Sequence, residues 1–238
     1  MTVFLFREDA YAAGCEATVT AVHPEAVELD RTVFYAASGG QPGDTGTLVL
    51  PGGRRLAVTE AIHPEGDRGR VLHRLDGAPP EPGAPVVAEI DWDRRHRLMR
   101  MHTALHLLSV VLPFPVTGGA IGPEKSRLDF DMATPPEDLA ALEAELAAHV
   151  AADLAVSADW ISEAELEARP EMVKTMKVKP PVGQGRVRLI RIGAGPEPVD
   201  LQPCGGTHVR ATGEIGALRI GKIEKKGREN RRVHLHLV

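Results

Sequence analysis

The stretch Asp93-Arg94-Arg95-His96-Arg97-Leu98-Met99-Arg100-Met101-His102-Thr103-Ala104-Leu105-His106-Leu107-Leu108-Ser109-Val110-Val111-Leu112 is where the sequence changes character. Leu98, Met101, Leu105, Leu108 and Leu112 recur every three or four residues, the period of a helix with one apolar face, and Pro113 ends the run. His102 and His106 stand four apart on that helix, so both imidazoles can reach a single point one turn apart. The chain before this helix reads as strand and turn, and the chain after it as a mixture.

Upstream, β-rich runs at 17–22, 26–35, 45–50, 54–62, 71–75 and 85–90 alternate with turn residues such as His23-Pro24-Glu25 and Pro51-Gly52-Gly53. Short strands separated by Gly/Pro turns at this spacing predict a small closed or nearly closed β-barrel. Pro79, Pro80, Pro82 and Pro85 interrupt the chain before its last strand, and Asp91 or Asp93 is placed to cap the helix that follows.

Downstream, Thr134-Pro135-Pro136-Glu137 has capping-box spacing ahead of a helix that puts Leu139, Leu142, Leu146 and Val150 on one face. Ser162 and Glu165 repeat the capping signal for a shorter helix. Strands are expected at 186–192, 215–224 and 231–238, the last two as a hairpin around Lys226-Gly227-Arg228. The reading is two domains, a β-barrel over 1–91 and an α+β domain over 92–238.

At 238 residues, 43% apolar and 26% charged, the chain has the composition of a globular protein. The apolar runs are too short to cross a membrane as a helix, and the N-terminus lacks the basic start and apolar core of a signal peptide. Two cysteines, Cys15 and Cys204, exclude a disulfide scaffold, and a cytoplasmic protein is expected. The net charge of −5 conceals a sharp asymmetry: residues 1–91 carry 7 Lys/Arg against 14 Asp/Glu, whereas 92–238 carry 21 against 19. Within the latter, 137–171 holds 10 acids and one base, so the remainder is strongly basic and suits a polyanionic partner. Arg94, Arg95, Arg97 and Arg100 crowd the helix before His102, and Lys222, Lys225, Lys226, Arg228, Arg231 and Arg232 crowd the last hairpin. With 4% aromatic residues, extended base stacking is excluded.

Far from the histidine pair, Pro203-Cys204-Gly205-Gly206-Thr207-His208 offers a thiolate and a third imidazole on a turn that the paired glycines permit. Alone, Cys204 reads as an inert buried thiol and His208 as a capping or surface histidine. Together, His102, His106, Cys204 and His208 make a nitrogen and sulfur ligand set of the kind that Zn2+ accepts in a tetrahedron. His234 and His236 compete as ligands, but their place two apart on a strand favours a solvent-facing pair. Thr103 occupies the position where zinc proteases of the His-Glu-x-x-His type carry their general-base glutamate, so that chemistry is not expected.

His-Thr-Ala-Leu-His-Leu-Leu at 102–108 with Cys-Gly-Gly-Thr-His at 204–208 resembles the editing domain of alanyl-tRNA synthetase. Ala37-Ser38-Gly39-Gly40-Gln41-Pro42-Gly43-Asp44 resembles the glycine-rich loop of the translation-protein-like barrel before that domain, and Ser126-Arg127-Leu128-Asp129-Phe130 resembles the strand between the metal motifs. The arrangement is similar to the free-standing AlaX trans-editing proteins in their medium-length form. The resemblance implies zinc-dependent hydrolysis of mischarged tRNA(Ala) at its acceptor end, Ser-tRNA(Ala) first and Gly-tRNA(Ala) second. Neither aminoacylation nor ATP binding is expected, because 238 residues leave no room for the synthetase's ATP-dependent aminoacylation domain and no Gly-x-x-x-x-Gly-Lys-[Ser/Thr] loop is present. Two other readings stay open: a tRNA-binding module with a purely structural zinc, and editing of Ser-tRNA(Thr). A zinc hydrolase of free small esters is a third.

Roles follow residue by residue. Thr103 and Thr207 each flank a ligand and offer a hydroxyl to the serine side chain, or serve packing and turn capping. Gly205 and Gly206 present amides to an oxyanion, or merely allow the turn. Asp129 is placed to orient a ligand histidine, or is an ordinary strand carboxylate. Gly39, Gly40 and Gln41 are expected to handle substrate, because a simple hairpin needs fewer glycines than this loop holds. Arg94, Arg97, Lys222, Lys225, Lys226 and Arg228 are expected to contact tRNA phosphates. Oligomeric state is not legible.

Overall fold

The computed structural model describes residues 2–174 and 185–238. Contacts divide the chain into two compact units, Met1–His96 and Arg97–Val238.

In the first unit β1 (Val3–Phe4) precedes β2 (Gly14–His23), β3 (Ala26–Leu29), β4 (Arg31–Thr32), β5 (Gly46–Val49), β6 (Arg55–Ile62), β7 (Leu72–Asp76) and β8 (Pro85–Ile90). Six of these close into a barrel in the order β2-β3-β7-β6-β5-β8, while β1 pairs in parallel with β4 outside it. The expected barrel is therefore present and fully closed. The run expected at 26–35 breaks into β3, β4 and an irregular segment whose Val33, Phe34, Tyr35 and Ala36 fill the core.

The barrel core also buries charge. Arg95 and Asp44 are 0% and 1% exposed in their side chains and form an ion pair. The Arg95 guanidinium donates further to the Val33 carbonyl at 2.7 Å and the Ala10 carbonyl at 3.0 Å. The Tyr35 amide donates to Asp44 Oδ2 at 2.6 Å. A charge pair removed from water this completely is tolerable only because its remaining donors and acceptors are satisfied. Arg95 is thereby excluded from any phosphate surface, contrary to its grouping with Arg94, Arg97 and Arg100 in the sequence.

The glycine-rich loop is a tight reversal. Gly39 and Gly40 have φ of +57° and +85°, and Ser38 and Gln41 exchange backbone hydrogen bonds of 3.0 and 2.9 Å across them. Positive φ at both central positions is the backbone of a type I′ turn, which favours glycine twice over. A Cβ on Gly43 would lie 1.9 Å from the Ala61 carbonyl oxygen, so that glycine is needed for strand approach. The surplus of glycines read from the sequence thus has a local structural cause.

The second unit follows α1 (Trp92–Val111), whose first turn belongs to the barrel unit. Then come β9 (Val116–Ala120), β10 (Lys125–Asp131), α2 (Leu139–Ala151), β11 (Val156–Ser162), α3 (Glu163–Glu167), β12 (Arg186–Ile192), β13 (Asp200–Pro203), β14 (Leu218–Lys225) and β15 (Asn230–Leu237). They form a four-stranded antiparallel sheet, β14-β15-β10-β9, and a three-stranded one, β11-β12-β13. The β14–β15 hairpin lies where the sequence places it, whereas β9, β11 and β13 were not anticipated.

Two helical expectations change. The stripe expected on α1 is a buried cylinder instead: Met99, Ala104 and Leu107 are as inaccessible as Leu98, Met101 and Leu108. From Leu98 to Ser109 every residue but Arg100 is buried, His102, Thr103, His106 and Ser109 included, so this stretch runs through the interior although it is not apolar on all sides. Helix α2 is capped by Asp138, whose side chain accepts from the Ala141 amide at 2.9 Å, and not by Thr134 and Glu137. Only Leu146 of its expected apolar face is fully buried, and Leu139 is 38% exposed. The Ser162–Glu165 capping box forms as read.

Candidate metal centre

His102, His106, Cys204 and His208 converge, each offering a ligand atom within 4.8 Å of all the others. Helix α1 supplies the first two, and the turn after β13 supplies the rest. Cys204 Sγ lies 3.4 Å from His102 Nε2 and 3.3 Å from His208 Nε2. Metal bonds of about 2.0 Å to nitrogen and 2.3 Å to sulfur put neighbouring donors of a tetrahedron about 3.5 Å apart. The donor set and spacing therefore fit a single zinc-sized ion.

The donors are also prepared for it. Burial opposes ionisation of Cys204, but the electrostatic influence of His102 and then His208, with hydrogen bonds from His102 and His106, holds its thiol well below the usual range. The Gly206 amide points at the sulfur from 3.5 Å. Burial, reinforced by His102, holds His208 well below the ordinary histidine range, which keeps a lone pair on its ring. Burial alone would do the same to His106, but hydrogen bonds to Asp200 and Cys204 raise it to about 9.

The far side of each ring decides which nitrogen faces the ligand cluster. His106 Nδ1 is 2.8 Å from Asp200 Oδ2, so it carries the proton and donates, leaving Nε2 for a ligand. Asp200 is buried on β13 and is fixed in turn by Lys174 Nζ at 2.6 Å and Gln202 Nε2 at 2.8 Å. Burial would raise its carboxyl, but His106 and Lys174 hold it below the ordinary aspartate range. His208 Nδ1 is 3.1 Å from Thr103 Oγ1, and that hydroxyl donates to the Met99 carbonyl at 3.0 Å. With its proton so committed, Thr103 accepts from His208 Nδ1–H and again leaves Nε2 inward. Arg188 on β12 donates to the carbonyls of Cys204 and Gly206 at 3.1 and 2.8 Å, pinning the turn that carries the thiolate.

Several expected roles move. Asp129 orients no ligand: Arg127 holds it at 2.9 Å and Arg232 at 2.7 and 2.9 Å, because β10 and β15 place these three side chains on one sheet face. Its expected task falls to Asp200, and the signal was present: Asp200, Gln202 and Cys204 alternate, hence share one strand face. Thr103 is fully buried and engaged behind His208, so it positions a ring and does not offer a hydroxyl outward. Thr207 is buried as well. Neither Gly205 nor Gly206 adopts a positive φ, so the turn does not depend on glycine's left-handed backbone. His234 shares a sheet face with His236 but is itself buried there, with Glu224 3.7 Å from its Nε2.

The basic residues separate likewise. Arg94 donates to the Gly43 carbonyl at 2.8 Å and Arg100 to the Ile215 carbonyl at 2.9 Å, whereas Arg97 is exposed and 3.4 Å from Glu124. Arg231 points inward and donates to the carbonyls of Ala133 and Gly227. Lys222 and Lys226 share Glu224 at 3.5 and 3.7 Å, and Lys225 and Arg228 are exposed.

A barrel followed by an α+β unit with one His-x-x-x-His and one Cys-x-x-x-His pair defines a class. Residues 187–234 match the family described as threonyl and alanyl tRNA synthetase second additional domain, and residues 7–94 match class II (A) tRNA synthetases. The chain is 34% identical to the alanyl-tRNA editing protein AlaX-M of Saccharolobus solfataricus, covering 98% of each chain. It is 36% identical to AlaX-M of Methanosarcina barkeri over the full length of both. It belongs to the AlaX-M family of alanyl-tRNA editing proteins. Alanine–tRNA ligase of Pyrobaculum arsenaticum is 37% identical across 93% of this chain, which spans only 25% of that relative's length. No helix among the described residues is long and apolar enough to cross a membrane.

Proposed function

We propose that this chain hydrolyses, in trans, the ester that joins a wrong amino acid to the terminal adenosine of tRNA(Ala), Ser-tRNA(Ala) first and Gly-tRNA(Ala) second. The observation that carries the reading is the four-ligand cluster, with Asp200 and Thr103 behind two of its rings, in a chain of the AlaX-M family. His102, His106, Cys204 and His208 would hold Zn2+. When bound, such an ion supplies Lewis acidity toward a carbonyl or a lowered pKa for water.

The chain's own residues do the rest. An aminoacyl ester is already activated, so positioning and exclusion of bulk water supply much of the acceleration. Asp200 and Thr103 each hold a proton on an Nδ1 atom, so those two imidazole faces take no part in proton transfer. Gly39, Gly40 and Gln41 of the barrel turn are assigned to substrate handling by family resemblance, and the barrel itself is read as translation-protein-like. The basic residues Arg94, Arg97, Lys222, Lys225, Lys226 and Arg228 are assigned to the acceptor end of tRNA(Ala).

A second reading has one observation in its favour: four protein ligands close a tetrahedron, the pattern of a structural zinc in a tRNA-binding module. The test is deacylation of Ser-, Gly- and Ala-tRNA(Ala) beside Ser-tRNA(Thr). The proposal expects Ser-tRNA(Ala) to be cleaved fastest and Ala-tRNA(Ala) to be spared. Retention of tRNA with no turnover would leave the second reading, and preference for Ser-tRNA(Thr) would move the substrate assignment.

A further inference from the structure

The four-stranded sheet has two unlike faces. Leu128, Phe130, Val233, Leu235 and Ile220 are buried and line one side. On the other, register places Arg219, His236 and Lys125 in one row across β14, β15 and β10. His234 and Arg127 form the next row, and Glu224, Arg232 and Asp129 the third, with successive rows about 7 Å apart.

Of the acids on this face, Asp131 lies at the far end of β10 opposite Asn230, three rows from Lys125, and the other two are committed. Asp129 is held by Arg127 and Arg232, and Glu224 by Lys222 and Lys226. Lys125 and Arg219 are exposed, and neither has an ion-pair partner among the described residues. They flank His236, whose ring lies across Gly221: a Cβ there would sit 2.5 Å from His236 Nε2. Burial and then the charges of Arg219 and Lys125 push the His236 pKa down, as its place between the two cations requires.

Resting on the tRNA-directed function proposed above, we infer that the row Lys125–His236–Arg219 is a docking surface for the phosphodiester backbone of tRNA. Charge complementarity selects the partner. The cations are strung across three strands of an open sheet, the layout for tracking a polyanion. None of the positions on this face is Phe, Tyr or Trp, so the row reads phosphates and not stacked bases. It stands apart from Lys225 and Arg228 at the hairpin tip, which the sequence alone singles out.

The experiment is binding of an uncharged tRNA(Ala) transcript across a salt series, with wild-type protein and Lys125→Ala/Arg219→Ala. Two lost phosphate contacts should flatten the slope of log K against log salt by about 1.4 to 1.8, which at 0.1 M salt is about a 25- to 60-fold weaker affinity. Metal content should not change. Lysine acylation read by mass spectrometry supplies a second measurement, in which saturating tRNA should protect Lys125 in the wild-type protein. A wild-type slope in the double variant, or Lys125 equally reactive with and without tRNA, overturns the inference while leaving the function intact. Wild-type protein that neither binds nor deacylates tRNA would overturn the function itself.

Discussion

Replacing Asp200 by asparagine removes a charge while preserving shape. Asp200 Oδ2 is 2.8 Å from His106 Nδ1, and Oδ1 is 2.6 Å from Lys174 Nζ. An asparagine can still accept from His106 through its amide oxygen, so the ring can keep its orientation. It can no longer enrich the imidazole electronically, and it leaves Lys174 uncompensated near a cationic centre. Loss of such an outer partner typically weakens metal affinity about 10- to 100-fold, or roughly 1.4 to 2.7 kcal/mol. The upper half of that range is expected, because Asp200 is inaccessible and its interaction with His106 is little screened by water. Lys174 is 30% exposed and can swing outward, which keeps its own penalty small. The assay is competition for Zn2+ against a chromophoric chelator at neutral pH, with Asp129→Asn as the comparison. Affinity in Asp200→Asn within twofold of wild type, or an equal loss in Asp129→Asn, would refute the claim that Asp200 prepares His106.

Three further outcomes are expected. Cys204→Ala should lose bound zinc whereas Cys15→Ala retains it, as metal analysis of the purified proteins will show, because only Cys204 stands among the imidazoles. Asp44→Ala should destabilise the barrel by about 3–5 kcal/mol in denaturant unfolding, since it strands the buried Arg95 charge; a change below about 1 kcal/mol would mean water reaches the guanidinium. His73 is buried against Thr32 Oγ1 at 2.8 Å, and desolvation lowers its pKa to about 4. The unfolded chain therefore binds a proton that the folded barrel refuses, and stability should fall by about 3 kcal/mol as pH drops from about 6.5 to 4. Calorimetry of His73→Gln should show that part of the acid sensitivity removed.

The strands of the barrel were legible because Gly and Pro punctuate them and each half-buried run alternates. Helix α1 was legible in extent but not in burial, since a 3.6-residue period shows the best apolar face and says little about the others. Strand β9 was hidden by Gly118 and Gly119, and β11 by having no fully buried residue, with Trp160 44% exposed. The cap of α2 was misread because several residues before the helix can cap, and local sequence does not choose among them. The four ligands could be found by spacing. Asp200 could not be ranked above Asp129 without knowing which strand runs beside His106, a fact of tertiary packing.

Strand β10 pairs with β15 across about a hundred residues, and His106 waits over a similar interval for His208. The barrel's strand pairs, in contrast, all close within the first 90 residues. At a synthesis rate of about 5–20 residues per second, α1 leaves the ribosome roughly 5–20 s before the last of its metal partners. Throughout that delay α1, buried from Leu98 to Ser109 apart from Arg100 in the finished fold, has neither its sheet nor Cys204 beside it. The order of emergence makes the meeting of His102 and His106 with Cys204 and His208 a late contact in the assembly of the second unit.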